Sequence, residues 1–135
     1  MANATVRWVI GKQFVGTDST LHSVVLSPAD VGVGMKPSEL LLVALGSCTA
    51  MDVVEILAKK RTTLTSLEIH ITGEQDIDPP WTFRSFYIQY LLKGKGLTEK
   101  AVAQAIQLSD EKYCSVAATV RATAPITTDF EILPE

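Results

Sequence analysis

The sequence predicts one α+β domain over residues 1–135. Three observations carry this reading. Period-two alternation of apolar residues marks strands at both ends of the chain. One long helical run lies between them. The element order is strands, long helix, strands, helices, strand, and this lack of strict alternation argues against a doubly wound parallel sheet. Composition allows a core, because 47% of residues are hydrophobic and only 20% charged, a balance that disordered chains do not show.

Residues 5–10 read as the first strand, with Val6, Trp8 and Ile10 on one face. Gly11 and Gly16 punctuate the stretch after it, and Thr17, Asp18 and Ser19 are turn chemistry before a second strand at 21–26. Residues 27–34 form a loop. A helix is expected over 38–60. Pro37 suits its first position, where a missing N–H costs nothing, and Glu39 suits the positive end of the helix dipole. Its middle, LLLVALGSC, is apolar on every side. Such a helix must be enclosed all round; a chain of this size can hardly do that alone, so part of the cover is expected from a second subunit. Gly46 and Ser47 weaken the helix but let another backbone approach just before Cys48. Strands come next at 64–73, with Leu67, Ile69 and Ile71 on one face, and at 83–92, with Phe83, Ser85, Tyr87 and Gln89 on one face, Arg84, Phe86, Ile88 and Tyr90 on the other, and Gly94 and Gly96 ending it. Thr98 is a good N-cap for a second helix to about Tyr113. A short helix over 115–121 and a strand over 126–132 complete the chain.

The formal net charge is −3. An acidic chain with scattered cations has no means of neutralising phosphates, so nucleic acid is not an expected partner. Lys59, Lys60 and Arg61 cluster only at the end of the long helix, where cations suit the dipole. No signal peptide is visible, and the longest apolar stretch, from Leu40 to Leu45, is far short of the ~20 residues that a membrane span needs. The expectation is a cytoplasmic protein without membrane contact, in a compartment that keeps thiols reduced.

Two cysteines in such a chain are buried fillers or a redox pair. Cys48 lies inside the long helix among Gly46, Ser47, Thr49 and Ala50, small neighbours that leave room above the sulfur. Cys114 lies near a helix break. No CxxC is present, so the pair is not of the thioredoxin kind. His22 and His70 stand alone and offer no metal-ligand spacing, and no metal or organic cofactor is expected. Asp52, four residues beyond Cys48, shares its helix face. It either anchors an arginine near the thiol or caps a neighbouring loop. Of the cations that could offset it, Lys112 and Arg121 flank Cys114 and come first, ahead of Arg84 and Arg61. A Gly-x-Ser-x-Gly elbow, a phosphate-binding glycine loop and a paired-carboxylate spacing are all absent.

The stretch MKPSELLLVALGSCTAMDVVEIL, followed much later by EKYCSV, resembles the OsmC/Ohr family. The Cys-x-x-x-Asp-Val-Val-x-Ile-Leu form is most similar to its YhfA-like branch. The resemblance implies an OsmC-like fold, with antiparallel sheets around two central helices in an intertwined homodimer. It implies that Cys48 is the peroxidatic residue and Cys114 the resolving one in a two-cysteine hydroperoxide reductase served by a dithiol reductant. Two departures stand out. Ser38 occupies the position after the proline where the peroxidases carry a glutamate, and Glu39, one step on, points about 100° away. No arginine lies between Trp8 and Arg61; Lys12 is the nearest cation to the place where the peroxidases use one, and Lys and Arg are not equivalent there. Two other readings stay open on the residues alone: a non-catalytic dimer that binds a small apolar ligand at its interface, and a purely structural dimer.

Overall fold

The computed structural model describes residues 1–135. It is a mixed α+β structure with two three-stranded sheets. The chain divides into two compact units, residues 1–41 and 42–135.

The first unit holds β1 (Ala4–Ile10), β2 (Gln13–Asp18) and β3 (Ser23–Leu26), an antiparallel meander in that order. Gly11 turns the first hairpin at φ 55°, a conformation open to glycine at no steric cost. The β2–β3 turn is built by Asp18. Its carboxylate accepts from the Thr20 and His22 backbone N–H groups and from the Thr20 hydroxyl. These bonds, His22 N–H foremost, hold the Asp18 carboxyl below its ordinary value. Two expectations are corrected here. Residues 13–18, read as punctuation and turn, are a strand, and the strand expected at 21–26 begins only at Ser23, because Leu21 sits in the turn at φ 66°. All of β1 is exposed, including Val6, Trp8, Val9 and Ile10.

Helix α1 (Pro37–Lys59) begins in the first unit and runs on into the second. Lys36 pairs with Glu39 in its opening turn at 3.4 Å. Its C-terminus closes as a Schellman motif: the Thr62 N–H reaches the Leu57 carbonyl, and the Arg61 N–H reaches that of Ala58. Arg61 therefore occupies the left-handed position at φ 60°, where glycine carries no Cβ penalty. We expect Arg61→Gly to raise stability by about 1 kcal/mol, seen as a higher denaturation midpoint.

The second unit contains β4 (Thr63–Gln75), β5 (Phe83–Lys95), α2 (Glu99–Leu108), a π-helical segment (Ser109–Tyr113), α3 (Ser115–Arg121) and β6 (Ile126–Ile132). Sheet order is β4-β5-β6. Strands β4 and β5 pair antiparallel, but β6 pairs with β5 in parallel. The expectation of antiparallel sheets throughout is corrected by this strand. Residues 96–125 carry three helical segments and supply the crossover that a parallel pair needs. The expected helix to Tyr113 also divides: α2 stops at Leu108 and five π-helical residues follow. Thr98 caps α2 as expected, accepting from the Ala101 N–H at 3.1 Å.

The core of this unit is the inner face of β5, Phe86, Ile88, Tyr90 and Leu92, together with Leu45, Thr49, Val53 and Leu57 of α1 and Val102, Ala105 and Ile106 of α2. The α1 residues recur at intervals of four, one stripe of the helix. Gly46 faces Ile71 and Ile69 of β4; a side chain, not the backbone foreseen from the sequence, uses its small size. The expectation of a helix enclosed all round is not met within the chain, because Val43, Met51 and Val54 are exposed at 47%, 71% and 47%. By length and apolar composition α1 would also satisfy a membrane span, contrary to the expectation that no segment does. Its buried stripe packs as that of a core helix.

Candidate active site

Cys48 lies midway along α1, partly exposed, one residue before the buried Thr49. Cys114 joins the π-helical segment to α3 and is 2% exposed. Its N–H reaches back to the Ser109 carbonyl at 2.8 Å, closing the wide turn, and its own φ and ψ of −80° and 107° are extended. It is thus the N-cap of α3, and its sulfur accepts from the Ala117 N–H at 3.3 Å. Both cysteines are free thiols. They are neighbours: Cys114 is pushed up to about 11 by burial first and by the adjacent Cys48 thiol second, against the opposing pull of the Ala117 and Val116 N–H groups. At neutral pH Cys114 is then held as the thiol.

Around the pair lies a buried polar cluster. The Ser109 hydroxyl donates to the Asp52 carboxylate at 2.8 Å and lies 3.5 Å from the Thr49 carbonyl oxygen. Asp52 thus holds the π-helical segment against α1 and takes the loop-anchoring role rather than the arginine-anchoring one. Thr49 donates to the Gly46 carbonyl at 3.0 Å. Tyr90 of β5 projects into the cluster with no exposed surface. The Thr49 hydroxyl is the polar group beside the Tyr90 hydroxyl and pulls its ionisation down. Burial above all pushes Tyr90 up to about 12, and the negative charges of Asp110, Cys114 and Asp52 add to this.

The other expected residues are placed as follows. Arg121 donates to both the backbone carbonyl and the carboxylate of Asp110 at 2.5 Å, tying α3 to the π-helical segment across Cys114. Lys112 is exposed and stands 5.5 Å from the ring centroid of Tyr113. Arg84 pairs with Asp76 at 2.7 Å in the β4–β5 region. Within the chain no lysine or arginine donates a hydrogen bond to Cys48. Ser38 and Glu39 belong to the first unit, in the opening turn of α1, where Glu39 is taken up by Lys36. Sequence reasoning passed over Tyr90, Thr49 and Ser109. Tyr90 was readable as a polar-tipped residue on the face of β5 that also carries Phe86 and Ile88; Thr49 and Ser109 carried no such signal.

Two hollows flank the site. One, of about 310 Å³, is an apolar groove between α1 (Val43, Gly46, Ser47, Ala50) and β4 (Leu67, Ile69, Ile71). The other, of about 550 Å³, is lined by Asp52, Glu55, Ile56, Lys59, Lys60, Leu108 and Tyr113. No three His, Cys, Asp or Glu side chains come together as metal ligands would.

The raised thiol and phenol carry a pH prediction. Both stay protonated in the folded chain at pH values where the unfolded chain has lost the proton, so the unfolded state binds fewer protons. These two groups should leave stability unchanged up to about pH 9 and lower it between about 9 and 12, with Tyr90 alone contributing roughly 2–3 kcal/mol of the fall. Chemical denaturation at intervals across that range checks it, and Tyr90→Phe should remove Tyr90's share.

The OsmC-like protein family model matches residues 29–129. Protein YhfA of Escherichia coli K12 is 35% identical over 130 residues, covering 96% of this chain and 97% of YhfA. A crystal structure of a hypothetical protein from Aquifex aeolicus VF5 is 32% identical, with a TM-score of 0.90 over 100% of this chain and 98% of that one. The organic hydroperoxide resistance protein OhrB of Bacillus subtilis shares the fold at 13% identity, with a TM-score of 0.64 over 97% of this chain and 98% of its own. The buried second thiol beside a helical cysteine thus stands in a chain that belongs to the OsmC-like protein family.

Proposed function

We propose that this protein is a thiol-dependent hydroperoxide reductase working as a homodimer, one OsmC-like domain per subunit, in the cytoplasm. Family membership supports a general redox and stress role. The observation that carries the finer reading is the contrast between the neighbouring thiols: Cys48 is partly exposed, while Cys114 is buried beside it and held protonated.

The Cys48 thiolate attacks the O–O bond of a hydroperoxide. An S–O bond forms, the O–O bond breaks, and the alkoxide leaves as the alcohol after taking a proton from solvent. The resulting sulfenic acid meets Cys114. The S–S bond forms, the Cys114 proton leaves with the sulfenic oxygen as water, and a dithiol reductant restores both thiols by exchange. With no cation bound to Cys48 in the chain and Ser38 where the peroxidases have a glutamate, the first step is slower than in enzymes with that pair. The homodimer reading is supported by the uncovered apolar face of α1 and by the exposed Val6, Trp8, Val9 and Ile10 of β1, since such surface is normally covered.

The test uses cumene hydroperoxide with dithiothreitol as reductant. Expected are peroxide consumption above the dithiothreitol background and, without reductant, a Cys48–Cys114 linked peptide by mass spectrometry. Absence of both sinks the reading. Sedimentation at micromolar concentration tests the dimer, and a monomer would overturn it. The apolar groove beside Ser47 favours a second reading, a non-catalytic dimer that binds a small apolar ligand. Saturable binding of an apolar fluorescent dye by a protein without peroxide activity would support that one.

A further inference from the structure

Ser109 bonds to both parts of the fold that carry a thiol. Its side chain has no exposed surface, and its hydroxyl donates to the Asp52 carboxylate at 2.8 Å, 3.5 Å from the Thr49 carbonyl oxygen. Thr49 follows Cys48 in α1, and Asp52 stands about one helical turn beyond it. The Ser109 carbonyl, in turn, accepts the Cys114 N–H at 2.8 Å. That bond spans five residues. An α-turn would give the carbonyl to Tyr113 instead and change the side to which Cys114 faces. The Ser109 N–H is held at the end of α2 by the carbonyls of Ala105 and Ile106. One residue therefore fastens the wide turn that presents Cys114 to the stretch of α1 that presents Cys48. A buried hydroxyl needs such a partner to offset its lost water, and the partner here is a side chain of the other thiol's helix.

We propose that Ser109 is a positioning residue of the thiol pair: its bond to Asp52 sets the segment that carries Cys114 against the turn of α1 that carries Cys48, and so sets how readily the two sulfurs join. This rests on the two-cysteine reading above and assigns the geometry of its second step. In that step Cys114 attacks the Cys48 sulfenic acid. The S–S bond forms and the S–O bond breaks. The oxygen leaves as water with the Cys114 proton, the Cys114 sulfur is oxidised, and the Cys48 sulfur is reduced. Ser109 bonds neither sulfur. It acts by keeping the two at a high effective concentration, which is how fixed orientation speeds a step within one molecule and favours its product.

The readout is the equilibrium of the Cys48–Cys114 disulfide with reduced and oxidised glutathione, which needs no peroxide. Ser109→Ala keeps the carbonyl that closes the wide turn and removes only the tether to α1. The effective concentration of the pair should fall by about tenfold, a shift of the reduction potential of about 30 mV toward the oxidising side. Asp52→Ala should match it. Asp52→Asn, whose amide oxygen still accepts the Ser109 proton, should stay within about twofold of the parent. A merely structural serine would lower the denaturation midpoint and leave the potential where it is. Equal potentials in the parent, Ser109→Ala and Asp52→Ala overturn the proposal. So does a parent whose thiols form no disulfide at any glutathione ratio, or an Asp52→Asn loss as large as that of Asp52→Ala. After one equivalent of cumene hydroperoxide, disulfide formation in Ser109→Ala should slow by about tenfold, with more Cys48 sulfenic acid trapped by dimedone. If the parent protein does not react with cumene hydroperoxide, the reductase reading falls, and the glutathione equilibrium still decides the role of Ser109. Should Ser109→Ala fail to fold, Asp52→Ala carries the test, because Asp52 is only partly buried and its removal leaves no unpaired charge.

Discussion

Cys48→Ser should bring peroxide turnover down to the dithiothreitol background, a loss on the order of a thousandfold or more, because a serine hydroxyl at neutral pH is no nucleophile without an activating base. Neither histidine bonds residue 48: His70 pairs with Glu68 on β4, and His22 bonds Thr20 in the β2–β3 turn. Cys114→Ser should behave differently. The first step stays, so one equivalent of peroxide is consumed at the parent rate. The sulfenic acid at Cys48 then has no neighbour to condense with. It accumulates, is captured by dimedone, and passes to sulfinic acid under excess peroxide. Slow turnover returns only through direct attack by the added dithiol. Intact-protein mass spectrometry separates the two variants by the number of oxygen atoms gained. Identical traces for both would mean that the thiols do not divide the work, and the burial contrast between them would have no functional meaning. The Asp52–Ser109 and Asp110–Arg121 bonds should matter to the second step alone, because they hold the π-helical segment that presents Cys114 and make no bond to Cys48.

Much of the fold was legible in the sequence, and the misses share a physical cause. Helix α1, strands β4 and β5 and helix α3 follow from periodicity and capping, and Thr98 caps α2 as its residue type suggests. Strand β2 was hidden because Gly16 and Thr17–Asp18 are turn residues by propensity. In the fold Gly16 packs against the side chains of Val24 and Leu26 across the strand pair, and that tertiary pairing overrides local preference. The parallel direction of β6 was not encoded locally either. Alternation tells which face of a strand is buried and says nothing about which way it runs. The π-helical segment left no trace, since an i→i+5 turn of five residues has no periodicity of its own. It nevertheless carries Ser109 inward and sets Cys114 beside Cys48. Both thiols were visible as candidates, whereas the polar cluster that surrounds them arises from α1, β5 and the π-helical segment meeting in space. Tyr90 and Ser109 become neighbours only there.

Gly94→Ala should be among the most destabilising single substitutions in the chain, costing about 3 kcal/mol. Gly94 lies in β5 opposite Leu64, beside the irregularity between Leu64 and Ser66. A Cβ at Gly94 would collide with the Thr63 carbonyl and the backbone of Leu64. Neither can rotate away, so the strands must part at the point where β5 leaves the sheet, and overpacking that moves backbone falls at the upper end of the usual range of about 1–3 kcal/mol or above it. Gly46→Ala is the informative contrast. Its new methyl would meet the Cδ1 end of Ile71, a side chain that can change rotamer. Alanine also favours an α-helix over glycine by about 0.8–1 kcal/mol. The two terms nearly cancel, so Gly46→Ala should stay within about 1 kcal/mol of the parent. Urea denaturation of both variants tests the pair. Comparable losses would mean that the β4–β5 ladder yields as readily as one isoleucine side chain, and the backbone contact at Gly94 would then not be the constraint that ends strand β5.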